Sequence, residues 1–196
     1  MTVGDRRAGR VHPVVSAPVL RALGEVDPVS PLLAEARVEL NRYGGVTTAL
    51  QRSLLEELAE RTGVVAVLQL SEEFRQSREP LLYVLLNSDS PNLVIDKATR
   101  LTRYFHSEHR VRVVARDSSF VDIQHYSERA GPPVAIESLF VCSLHTAILD
   151  TLGCRDLRAE LTPPNHSPVV VFADGRFRDP GHGPADRWRR SQHRSM

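Results

Sequence analysis

The densest run of side chains able to do chemistry is Tyr104, Phe105, His106, Ser107, Glu108 and His109. Read as the end of a helix, it places His106 and His109 three residues apart on one face, a spacing compatible with a metal ion. A metal site needs further ligands, and His125 or His145 would have to converge on it by folding. The simpler reading is a cluster of cationic side chains where the C-terminal end of a helix favours positive charge, so no metal is expected. Arg129 could give a planar, bidentate donor to a carboxylate or phosphate. Beside Glu128 it also reads as an ordinary surface residue. His145 lies one helical turn past Val141 and reads as an interior or rim histidine. Tyr83, Phe120 and Phe140 read as core, although core and pocket lining overlap in ligand-binding proteins because such cavities are mostly apolar.

Catalytic signatures are missing. The sequence contains no nucleophile elbow, P-loop, HExxH pair or dinucleotide fingerprint. Ser138, Ser143, His145 and Asp150 share one helical segment, whereas a triad needs groups converging from separate elements. An enzyme is therefore not expected. Cys142 and Cys154 make neither a disulfide scaffold nor a CxxC site and read as reduced, partly buried thiols.

The elements that must position these residues follow from periodicity and punctuation. Ser16 with Pro18 suggests the start of a short helix, and Ser30 with Pro31 starts another. In the segment 47–63, Leu50, Leu54, Leu55 and Leu58 keep helical spacing and Gly63 stands where a cap glycine belongs. VVAVLQLSEEF is ambiguous between helix and buried strand and is read as helix. Pro80 opens a compact apolar segment. A helix is then expected from about Leu93 to His109, with Val94, Ala98, Leu101 and Phe105 on one face. From Val111 the period changes to alternation, which predicts an antiparallel hairpin turning at 117–119. An apolar helix ending at Gly153 should lie largely buried against the sheet, and RDLRAEL and SPVVVFAD supply two more strands. The order predicts an α+β fold: N-terminal helices, then a mainly antiparallel four-stranded sheet packed on a buried helix. Residues 1–13 read as a flexible start, 14–174 as one domain, and 175–196 as an arginine-, glycine- and proline-rich tail.

Composition bounds the function. Hydrophobic residues at 41% and charged residues at 25% are ordinary for a globular chain. A net charge of +1 provides no global attraction to nucleic acid or acidic membranes. With no secretory leader and no membrane-length apolar run, a soluble cytoplasmic protein is expected.

The order SAPVLRAL, SPLLAEARVE, LQRSLLEELAERTG and VLQLSE, followed by LLYVLLNSDSPNLVIDKATRLTRYFHSEHRVRVV, resembles the N-terminal effector-sensing domain of AraC-type transcription regulators over about Val14 to Phe172. The resemblance implies a sensor that binds a small, partly apolar effector between sheet and helices, and a homodimer. It also implies that DNA is contacted only through a helix-turn-helix module. Residues 175–196 are too few for two such motifs. A fainter resemblance joins His125, Ser127, Arg129 and Gly131 to haem-based nitric-oxide sensor domains. Their Tyr-x-Ser-x-Arg pattern holds the haem propionates, and here His125 replaces the tyrosine. That implies a related architecture, with no cofactor expected. The candidate ligand-binding set is Tyr104, His106, His109, His125, Ser127, Arg129 and His145. The rival reading is a free-standing interaction domain whose tail, RWRRSQHR, contacts a protein or nucleic acid.

Overall fold

The computed structural model describes residues 9–76, 79–86, 88, 90–106, 108–116, 120–127, 131–154, 157–162 and 167–172. Helix α1 spans Pro13–Val26 and α2 spans Pro31–Tyr43. The second begins as its sequence dictates: Ser30 Oγ accepts from the Leu32 N–H at 3.2 Å, and Pro31 sits where a missing N–H has no consequence. Gly44, at φ 70°, closes it in the left-handed region that favours glycine. The first helix starts earlier than Ser16. His12 is its cap, Nδ1 accepting from the Val14 N–H at 3.2 Å, with Pro13 in the first turn and Pro18 inside the helix. Ser16 is buried within α1, its hydroxyl 3.4 Å from the carbonyls of His12 and Pro13.

The chain also joins the fold before the expected start at Val14. Arg10–Val11 (β1) pairs antiparallel with Val46–Thr47 (β2), and Val11 is fully buried. Helix α3 (Thr48–Thr62) follows, capped by Thr47, and Gly63 at φ 87° separates it from α4 (Val64–Arg75). The ambiguous apolar segment is thus helical. After α5 (Pro80–Leu86), helix α6 (Pro91–Phe105) is capped by Ser90. It ends short of the expected His109. The backbone of His106 is extended (φ −144°, ψ 127°) and bridges to Val11, while the His12 N–H bonds the Phe105 carbonyl at 2.7 Å. Pairing with β1 draws the chain out of the helix.

Strands β3 (His109–Arg116) and β4 (Phe120–Ser127) form the expected hairpin, with a register shift between Val113 and Ala115. With β5 (Leu157–Thr162) and β6 (Ser167–Phe172) they make one antiparallel four-stranded sheet in the order β3-β4-β6-β5. Helix α7 (Ala135–Thr151) is buried along most of its circumference, packing on α4 on one side and on β5 and β6 on the other. Phe140 meets Phe74 of α4 with ring centroids 5.6 Å apart. The core runs continuously from Val11 and Val19 through Leu54, Leu58 and Leu85 to Ile123 and Ile148. Tyr83 does not belong to it: on α5 it is 64% exposed. The side chain of Phe120, the turn 117–119 and the tail 175–196 lie outside the described residues. Among the described residues no helix is long and apolar enough to cross a membrane.

Candidate functional site

Strand alternation gathers the histidines. In the β3–β4 register His109 lies opposite Ser127 and Val111 opposite His125, so His109 and His125 are diagonal neighbours on one face of the hairpin. Their rings meet edge to face, with centroids 5.0 Å apart. Leaving α6, His106 lays its ring flat on that of His109, centroids 4.3 Å apart and 2° from parallel. From α7, Ser138 places its hydroxyl 3.1 Å from His125 Nδ1, and His145 is close enough to perturb His125 electrostatically. His106, His109, His125 and His145 therefore do converge. The geometry differs from two ligands on one helix face, because His106 lies past the helix end and His109 belongs to a strand.

Burial keeps these rings neutral. Desolvation, reinforced by His109 and Arg110, pushes His106 down to about 3. His125 is held well below its ordinary value by burial and by His109, His106 and His145. Burial also lowers His145 and His109, although Glu137 and Glu108 pull His109 the other way. Of the cationic side chains expected at the helix end, Arg103 sits in the last turn of α6, whereas burial favours the uncharged form of the imidazoles. His106 Nδ1 accepts the N–H groups of Glu108 (3.3 Å) and His109 (3.0 Å), which places its proton on Nε2. His145 Nδ1 lies 2.8 Å from the Val141 carbonyl and must donate to it, leaving Nε2 as a bare acceptor. That atom and His109 Nε2 are buried without a partner, as are Thr48 Oγ1 and both polar atoms of the Gln51 amide.

Two residues beside the cluster escape sequence reasoning. Glu137, almost fully buried in the first turn of α7, accepts two hydrogen bonds from Arg52 of α3, at 3.1 and 3.2 Å. It also accepts the Val134 N–H at 2.9 Å, so one carboxylate caps α7 and ties it to α3. Eighty-five residues separate Arg52 from Glu137, and no local pattern marks such a pair.

Of the other members of the expected set, Ser127 faces His109 across the β3–β4 ladder and Tyr104 lies on the outer surface. Tyr104 is 58% exposed on α6 beside Arg103. Ser127 is half-buried at the end of β4, and Arg129 lies outside the described residues. No group of three or more His, Cys, Asp or Glu among the described residues could hold a metal ion. His125, in the place of the haem-sensor tyrosine, turns inward onto Ser138. Cys142 and Cys154 are buried thiols, each pushed up to about 12 by desolvation.

An open cleft lies elsewhere, between α1 and α4. About 350 Å³ in volume, it has a floor of Val14, Ala17 and Pro18 and a polar wall of Arg21, Glu73, Gln76 and Glu79. Arg21 Nε donates to Glu73 at 2.7 Å across it.

No family model matches the sequence, and no curated protein matches it. Among solved structures, the fold is similar to the H-NOX protein from K. algicida in its Fe(II) unliganded form, with a TM-score of 0.49 and 14% identity. A point mutant of the same protein gives 0.48 and 13%. Each comparison covers 83% of this chain and 97% of the other. Neither neighbour is an AraC-type regulator, and likeness at this level carries no inference about site or ligand.

Proposed function

We propose that this chain is a ligand-sensing regulatory domain, acting by binding rather than catalysis, that takes a small, partly apolar effector in the cleft between α1 and α4. The observation that carries the reading is the cleft itself. Its volume falls within the range usual for small-molecule sites, and its mostly polar lining, with Val14, Ala17 and Pro18 beside Arg21, Glu73, Gln76 and Glu79, could orient a polar end of the effector. The AraC-type assignment, homodimerisation and reliance on a separate helix-turn-helix module for DNA remain parts of this proposal, supported by the order of sequence segments.

A thermal-shift screen of small carboxylates and fatty acids against the full chain tests it. A ligand at one hundred times its Kd adds about 2.7 kcal/mol, a rise of roughly 5–10 °C for a chain of this size. Replacing Ala17 on the cleft floor with Phe should abolish the shift and leave the ligand-free Tm nearly unchanged. No stabilising compound, or an undiminished shift in Ala17→Phe, would sink the cleft assignment.

A further inference from the structure

We propose that the basic segment 187–194, anchored by Trp188, docks on an exposed valine patch formed by the α1–α2 and α3–α4 turns of the same chain. One ion pair assembles the patch. Arg61, in the last turn of α3, reaches Asp27 at the C-terminal cap of α1, with Nη2 and Oδ2 2.6 Å apart. That contact sets the two turns side by side. Val26 and Val29 flank Asp27, and Val64 and Val65 open α4 directly after Gly63. Their exposures run from 46% to 85%. Valines scattered singly on a surface need no explanation, whereas four gathered around one ion pair make an apolar face that marks a contact site.

The charges around this face say what covers it. Glu25, Asp27, Glu57 and Glu60 stand around Arg61, so the rim is acidic. Glu25 and Glu60 are exposed and meet no cation among the described residues. A second copy of the same face would set acid against acid, which disfavours self-association. The complement is an apolar anchor set among cations. RWRRSQHR, at 187–194, has that composition: four arginines, no carboxylate and the one tryptophan of the chain. Tryptophan and arginine are the side chains that most often anchor such contacts, and the guanidinium fork matches a carboxylate with two parallel bonds. The segment also reaches. Trp188 follows Phe172, the end of β6, by sixteen residues, an extended span of about 50 Å, and a folded domain of about 160 residues is roughly 40 Å across. Docked, the arginines are neutralised within the molecule, and any other anionic partner must first displace them.

Because Trp188 is the only tryptophan, its fluorescence reports the contact directly. In the native full chain, acrylamide should quench it about threefold less than in a synthetic peptide of residues 181–196, because docking buries the indole. Val29→Arg and Val65→Arg each place a cation among the valines and should raise quenching to the level of the peptide. Both positions are exposed, so the fold should keep its Tm. Val114→Arg, at an exposed position on β3, should leave the protection intact. Protection should also be the same at low and high protein concentration. The proposal is overturned by wild-type quenching equal to that of the peptide, by protection that survives either substitution in the patch, or by protection that grows with protein concentration, which places the segment on a second copy.

Discussion

The ring of His106 lies flat on that of His109, with centroids 4.3 Å apart, the first half-buried and the second buried. Two imidazolium charges at that separation would repel by about 4 kcal/mol at an effective dielectric of 20, so the pair accepts at most one proton without distortion.

Acid should therefore destabilise the fold over a defined window. In the unfolded chain His106 titrates near 6.5, whereas in the fold it titrates at about 3. Between these values the unfolded state binds more protons, so stability falls as pH drops from 6.5 towards 3 and is nearly constant above about 7.5. His106 alone should cost about 2 kcal/mol by pH 5, and His125 and His145 act in the same direction. Urea unfolding midpoints at pH 7.5, 6.5, 5.5 and 5.0 should decline through the series. A constant midpoint would contradict the burial of neutral rings.

Arg52→Ala should cost about 2 kcal/mol, because it leaves the nearly buried Glu137 carboxylate short of its charge-bearing partner. A pair this unevenly buried sits below the 3–5 kcal/mol typical of fully buried ones. Reversible denaturation at pH 7.5 is the measurement, and a loss under 0.5 kcal/mol would show that water replaces Arg52 without penalty.

Gly45→Ala should be far more damaging than Gly131→Ala. A Cβ at position 45 would stand 2.7 Å from the Val11 carbonyl oxygen, a backbone atom held in the β1–β2 pair, whereas one at position 131 meets nothing within 4 Å among the described residues. Overpacking of this kind costs about 1–3 kcal/mol. Thermal melts of the two variants side by side decide it, and equal Tm values would contradict the close approach.

Neither cysteine should react while the protein is folded. Both thiols are buried and pushed up to about 12, so almost no thiolate exists at pH 8. Ellman's reagent should find close to zero accessible thiols in the native protein and two after denaturation. Rapid native labelling would mean that α7 opens more readily than its packing implies.

Much of the architecture could be read directly, because its signals are local. Ser30 with Pro31 and Gly44 bracket α2, Gly63 ends α3, and alternation after Val111 marks the hairpin. The misplaced features answer to distant partners. Nothing near His106 reveals that Val11, ninety-five residues earlier, will pull it out of the helix. With His109 assigned to that helix, the period-two face shared by His109, Val111, Ile123 and His125 was hidden, although the alternation that defines it stands in the sequence. Ser16 resembled a cap because serine before an apolar run usually is one, but Pro13 and His12 had already begun the helix. The cleft between α1 and α4 has no sequence signal, since Arg21 and Glu73 face each other only after folding.

The two-residue strand β1 has one more consequence. Positions 11, 46 and 106 meet at a single seam, so the helical first third of the chain and the later hairpin cannot be separated into independent fragments without tearing it. A peptide cut at Val14 would lack the middle stave of that seam, and the seam closes only after more than a hundred residues have been synthesised. Assembly of this region must await the later part of the chain, which favours slow, concerted folding over stepwise growth from the N-terminus.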